Sequence, residues 1–367
     1  MYDPRLLQEK YHEVEHGKAR ISAIKAAIQE ADENNDVLYS VMFRLELCNE
    51  SEFYYDSMDL IVTFPQILKI IDVYPEIQNT FRENAGGLDI VLWTYKWVVA
   101  LCSEYYQISM DDCLNFLEDF KKRSISAGYN LKPYYKYLYL LYEKIDTEYA
   151  DKCFFEFMKL TGDENGDCAA CDRNIEINYY LNRNNIEKAN ELAKDIEEYK
   201  LICNDSDDEA WLRMKSKYMK YYLKNKDFDN AITYINQIKR KISSTKKSEY
   251  NYDDSFFYCY THTDIGKALN LYKENWKAWI KEKCPAKKFD MDVYVAIFFK
   301  KLGKECEGET IKLELDKSFP LYNYEGIYKI KELEKFYYNS AKDIALKFDK
   351  RNGTDYFMNE LCIYYGE

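Results

Sequence analysis

Glycine and proline are scarce in this chain, at 12 and 6 of 367 residues. They are the strongest punctuation for tight turns, so an architecture of many short strands is excluded and long helices joined by short connections are expected. No window approaches the roughly 18 uncharged apolar residues that a membrane span requires, so no such span is expected. The first twenty residues carry charges throughout and lack an apolar core stretch, which speaks against export by a cleaved signal. Positive charge is in deficit: the net charge is −12 and the pI near 5.1, so the chain repels the phosphate backbone and nucleic acid is set aside as a partner. A local cationic stretch, Lys239-Arg240-Lys241 with Lys246-Lys247, reads as a solvated cap at a helix end. The 11 cysteines are odd in number and spread through helical segments, as at Cys48, Cys102, Cys113, Cys153 and Cys259. No disulfide framework follows, and a reducing cytoplasm is the expected compartment.

Helix-compatible residues and tyrosine are abundant. The chain holds 37 tyrosines, many in pairs: Tyr54-Tyr55, Tyr105-Tyr106, Tyr134-Tyr135, Tyr179-Tyr180 and Tyr221-Tyr222. A tyrosine can pack its ring between helices while its hydroxyl reaches water, so interhelical packing is the expected role.

The sequence is self-similar. NYYLNRNNIEKAN from Asn178 aligns with KYYLKNKDFDNAI from Lys220 at an offset of 42 residues, and HTDIGKALNLY from His262 repeats the frame, its Ala268 lying 37 residues after Ala231. Each copy reads as a helix-turn-helix unit. The Tyr-Tyr-Leu triplet closes one helix, and Asn185, Asp227 and Asp264 are placed to cap the next by accepting an orphan backbone N–H. Ala189, Ala231 and Ala268 fall one turn later, where a small side chain lets two helices approach closely. Residues 136–160 fit the frame loosely through Ala150. Residues 36–75 predict two helices that close before Pro75. The segments LDIVLWTYKWVVALCSEYYQ and SMDDCLNFLEDFKKRSISAG predict another pair, with Ser109 as N-cap and Gly128 as terminator.

About six or seven hairpins are expected, forming a helical repeat array over residues 1–303. Residues 304–367 are expected to cap it. There Ile311, Leu313 and Leu315 alternate with charged residues as in a short strand, a helix runs from about Gly326 to Lys350, and Arg351-Asn352-Gly353 makes a turn.

The repeats, with LWTYKWVV at Leu92, CAACD at Cys168 and FDKRNGT at Phe348, give a chain that resembles the bacterial tetratricopeptide-repeat superfamily, in an uncharacterised subgroup. The resemblance covers the chain from about residue 36 onward. It implies an all-α fold, a right-handed superhelical stack of antiparallel helix hairpins (an α-solenoid), and a role in protein–protein interaction. Offsets of 42 and 37 depart from the roughly 34 residues of the standard unit, so no groove residues are carried over.

Two constellations bear on chemistry. His12-Glu13-Val14-Glu15-His16 matches H-E-x-x-H, in which two histidines one helical turn apart bind zinc and the glutamate activates a metal-bound water. Leu7, Tyr11, Val14 and Ile21 would form the apolar stripe of that helix, leaving both histidines on its flank, and the third ligand would be a distant acid or His262. Cys168-Ala169-Ala170-Cys171 is a lone CxxC without a second pair. A hairpin brings the start of its first helix to the end of its second, so Cys168, Cys171 and Cys203 are expected to converge, with Asp167, Asp172 or Asp205 as a fourth group. Two readings stay open: small thiols that pack the turn, or a structural zinc site. The acidic loop GDENGD, residues 162–167, lacks the spacing of a calcium loop and is expected to be a solvated turn.

The expectation is a non-enzymatic helical-repeat scaffold with no obligatory cofactor. It would bind a protein or peptide, a basic one given the acidic surface, as a regulator, an adaptor or a toxin-neutralising immunity protein. The rival is a zinc-dependent hydrolase using His12, Glu13 and His16.

Overall fold

The structure, a computed structural model, describes residues 2–84, 88–203, 208–245, 253–305 and 308–366. Among them are eighteen helices and one two-stranded ribbon. The fold is an all-α helical stack, as the sequence predicts, and the helices divide into two units, residues 1–166 and 167–367.

The first unit holds α1 (Pro4–His12), α2 (Lys18–Glu33), α3 (Val37–Tyr54), α4 (Met58–Val73), α5 (Pro75–Asn84), α6 (Ile90–Leu101), α7 (Met110–Ser126), α8 (Lys132–Tyr142) and α9 (Thr147–Lys159). Sequence neighbours pack as antiparallel pairs, and α6 also meets α3, α4 and α8. Pro75 follows the last residues of α4 as expected. It then opens α5, which its fixed φ suits and the sequence reading did not anticipate. The loop at 162–167 is a turn with Gly162 and Glu164 exposed, as expected, but it is anchored from within. Asn165 is buried, its carbonyl accepts from Lys96 Nζ at 3.0 Å, and the Asp163 carboxylate accepts from the backbone N–H of Asn130 at 2.6 Å and of Asn165 at 3.0 Å.

The second unit holds α10 (Ala169–Asn182), α11 (Ile186–Glu197), α12 (Glu209–Lys224), α13 (Phe228–Thr245), α14 (Asp253–Thr263), α15 (Ile265–Ile280), α16 (Pro285–Glu305), α17 (Ile330–Asn352) and α18 (Tyr356–Tyr365). Here α10, α12, α14 and α16 pack successively on one another, with α11, α13 and α15 paired to their neighbours. Residues from 304 onward pack onto this unit chiefly through α17 lying along α16. Tyr272 of α15 meets Tyr337 of α17 at 3.0 Å between buried hydroxyls. The alternating tail forms β1 (Thr310–Lys312), antiparallel to β2 (Ile327–Lys329). Leu313 and Leu315 are buried beyond the strand, and Gly353 ends α17 in the left-handed region, φ 68°. The helix α18 after that turn was not anticipated.

Three turns share one backbone path. Asn35, Asn184 and Lys226 adopt left-handed φ of 54°, 54° and 57°, each just before the N-cap of the next helix. The N–H groups of Asp36, Asn185 and Asp227 then reach back five residues to the carbonyls of Ala31, Tyr180 and Tyr222, at 3.0, 2.9 and 2.9 Å. Their side chains accept from Tyr39, Lys188 and Asn230 N–H at 3.2, 3.1 and 3.1 Å. Each turn thereby satisfies orphan groups of both helices it joins.

Asp264 and Ser109 also cap as predicted, accepting from Lys267 and Asp112 N–H at 3.1 Å each. Four residues after their caps, Ala150, Ala189, Ala231 and Ala268 are all 0% exposed. A leucine at 231 has nowhere to go without moving a helix. Ala231→Leu is expected to lose about 1–3 kcal/mol in chemical unfolding, the range for overpacked cores; a change below about 0.5 kcal/mol, typical of a surface site, would show that the hairpin has slack.

The tyrosine pairs mostly divide their duties. Tyr105, Tyr134 and Tyr179 are buried while their neighbours Tyr106, Tyr135 and Tyr180 are half-buried, as interhelical packing requires. Tyr221 and Tyr222 are both half-buried, and Tyr54 and Tyr55 are both exposed. No helix among the described residues is long and apolar enough to cross a membrane.

Candidate metal centre

The H-E-x-x-H segment does not form one helix. Helix α1 ends at His12, Glu13 is its C-cap, and Val14 to Gly17 cross to α2 in a turn. The physical reason lies at Gly17, whose φ of 98° few other residues adopt and whose N–H donates to the buried Glu50 carboxylate at 2.5 Å. Glu50 also takes His16 Nδ1 at 2.9 Å, and the His16 ring stacks on Tyr54 with centroids 3.9 Å apart. The two histidines therefore lack the one-turn helical relation that a zinc pair of this kind requires. Leu7, Tyr11 and Ile21 still face a common core, but from two helices rather than one stripe. The third histidine, His262, lies in the second unit on α14.

The cysteines do converge. Cys168 is the N-cap of α10, Cys171 sits in its first turn, and Cys203 lies in the chain beyond α11. Their Sγ atoms all lie within 4.8 Å of one another, with Cys171 and Cys203 3.7 Å apart. Antiparallel pairing of α10 and α11 produces this meeting, because it returns the end of the second helix to the start of the first. Cys203 is buried, the other two are half-buried, and none is disulfide-bonded.

The cysteines pack into an apolar core that includes Ala170, Ile177, Ala210 and Met214. A cation meets them as well. Arg213 of α12 places Nη1 3.4 Å from Cys171 Sγ, and its guanidinium also pairs with Glu209, one turn earlier on the same helix, at 2.7 Å. Burial pushes the Cys171 thiol well above its ordinary range, against the pull of Arg213, which favours the thiolate. The N-terminus of α10, capped by Cys168, adds its partial positive charge.

Among the described residues, no carboxylate or imidazole joins the three sulfurs at that distance. Asp172 is buried in the first turn of α10, and Asp167 is half-buried before it. Asp205, the other expected fourth group, lies outside the described residues, as do Lys246 and Lys247 of the cationic stretch. Within that stretch Lys239 donates to Tyr260 Oη at 2.8 Å and Lys241 to Tyr199 Oη at 2.9 Å, so both are engaged in packing.

Arg213 is the one member of the cluster that the sequence did not point to. It lies 10 residues beyond Cys203, separated by the start of another helix, and only the packing of α12 on α10 brings it to the sulfurs. No protein-family model matches the chain, and no curated protein matches it either.

Proposed function

We propose that the protein is a non-enzymatic helical-repeat scaffold of the tetratricopeptide-like kind, holding a protein or peptide partner in the cytoplasm. The observation that carries this reading is an aromatic cluster left in solvent. At the end of α3, Phe53 is 59% exposed, with Tyr54 and Tyr55 exposed beside it, and Phe53 meets Trp97 of α6 edge to face at 5.4 Å. Three consecutive exposed aromatics form a contiguous apolar patch, a common mark of an interaction surface. The net charge of −12 favours a basic partner, by steering more than by affinity. The break in the H-E-x-x-H segment adds support, because His12 and His16 lack the one-turn helical relation of that motif.

The test is affinity capture with the purified chain as bait, comparing the natural sequence with a Phe53→Ser/Tyr54→Ser/Tyr55→Ser variant. A partner recovered in fixed proportion by the first and lost by the second, with helicity unchanged, supports the scaffold. A partner retained equally by both removes the aromatic cluster as the contact. Zinc-dependent hydrolysis that disappears in His12→Ala and His16→Ala would replace the scaffold with an enzyme.

A further inference from the structure

We infer that Cys168, Cys171 and Cys203 form a three-thiolate binding site for a thiophilic divalent cation, zinc, with the Arg213 guanidinium offsetting the excess negative charge. This assignment is independent of the scaffold reading.

Distances carry the first step. Zinc holds thiolates at about 2.3 Å in a tetrahedral arrangement, which puts neighbouring sulfurs about 3.8 Å apart. Cys171 and Cys203 already stand at 3.7 Å, and no pair among the three exceeds 4.8 Å. A side-chain adjustment of about an ångström at Cys168 completes a triangle of sulfurs around one ion. The pair is not disulfide-bonded, since bonded sulfurs sit about 2.05 Å from each other.

Charge carries the second step. Three thiolates around a divalent cation leave one net negative charge, and burying it against Ala170, Ile177, Ala210 and Met214 is costly unless a cation neutralises it. Arg213 lies against the sulfurs, and the first turn of α10, which carries Cys168 and Cys171, presents its positive end to them as well. Small apolar thiols that only filled a turn would have no use for a guanidinium nitrogen 3.4 Å from sulfur. Glu209 holds the far side of Arg213 and so orients the group that faces the metal.

Donor softness carries the third. Sulfur-only ligation selects zinc over calcium and magnesium, which take oxygen. On this donor set the fourth tetrahedral place falls to water or a small anion. Uptake is balanced as displacement of thiol protons by metal: one zinc ion binds three sulfurs and up to three protons leave to solvent, with no change of oxidation state.

The experiment uses the whole chain, reduced and stripped of metal, titrated with zinc, with cobalt as a spectroscopic probe. The expected result is one ion per chain, proton release on uptake, and a thiolate-to-cobalt charge-transfer band. On the natural sequence, zinc should protect Cys168, Cys171 and Cys203 from alkylation, as read by mass spectrometry, while half-buried Cys362 stays reactive. Cys203→Ser should abolish stoichiometric uptake, and Arg213→Gln should weaken it by about 10–100-fold at unchanged stoichiometry, the usual effect of removing an outer-shell partner. Three outcomes overturn the assignment: no uptake with all three thiols verified as reduced, bound zinc that leaves those thiols open to alkylation, or a Cys171–Cys203 disulfide that forms in its place. The protection assay needs no variant, so a substitution that disturbs folding leaves the test intact.

Discussion

Replacing Asp292 by alanine is expected to destabilise the second unit by about 3–5 kcal/mol, the range for removing one partner of a buried ion pair. Asp292 of α16 is 0% exposed; its carboxylate takes the Lys288 ammonium one turn earlier and accepts from the Ser340 hydroxyl of α17 at 2.6 Å. Taking it away leaves an ammonium and a hydroxyl facing a void in the most extensively packed helix pair of this unit. Burial pushes the Asp292 carboxyl above its ordinary range despite Lys288 and Ser340, so desolvation outweighs the favourable contacts. The pair is therefore a constraint more than a source of net stability. Replacing both partners, Lys288→Met with Asp292→Leu, should lose far less than the single change. Urea unfolding of the single and double variants decides the matter: a double variant as damaged as Asp292→Ala, or a single one within about 0.5 kcal/mol of the natural chain, contradicts the account.

Acid should reveal a second group, the half-buried His262. Its ring lies flat on Phe228 with centroids 4.2 Å apart, touches Tyr258 at 5.0 Å, and leaves Nε2 buried without a hydrogen-bond partner among the described residues. Burial, with the Lys301 and Lys226 charges facing it, holds its pKa down at about 4 against an ordinary 6.5. The folded chain keeps this imidazole neutral where the unfolded chain protonates it. Above pH 6.5 neither state binds the proton and stability is unaffected. As pH falls from 6.5 toward 4, the unfolded state gains a proton the folded state refuses, and stability drops; below 4 both are protonated and the loss levels off. The difference is worth on the order of 3 kcal/mol. Carboxylates titrate over part of the same range, so the quantity to read is the gap between the natural chain and His262→Phe. That gap should move in the variant's favour as pH falls across this window. A gap constant from pH 7 to 4 would mean that His262 titrates like a free imidazole.

What the sequence disclosed follows from the range of each interaction. The caps at Ser109, Asn185, Asp227 and Asp264 were legible because the side chain, the orphan N–H and the following apolar residues lie within one helical turn. The four small residues behind the caps were legible for the same reason. The thiol cluster was legible one level up, since antiparallel pairing alone fixes which helix ends meet. Arg213 was hidden, because its place depends on how α12 seats against α10. The same holds for Glu50, which lies 33 residues from the Gly17 N–H it accepts and fixes the break in the first helical stretch. The helices α5 and α18 escaped because each begins at or just beyond a terminator, α5 with Pro75 itself and α18 at Tyr356 shortly after Gly353, that also permits a new helix to begin.

The three turns built on Asn35, Asn184 and Lys226 bear on how fast the chain reaches its fold. Each closes its hairpin with backbone hydrogen bonds spanning five residues, so a pair of helices can find its partner before distant segments are in place. Contacts between close sequence neighbours favour early closure of each hairpin over the slower pairing of distant segments. Such hairpins also open one at a time. Amide exchange should show graded protection along each unit, lowest where a single hairpin can fray without disturbing the next.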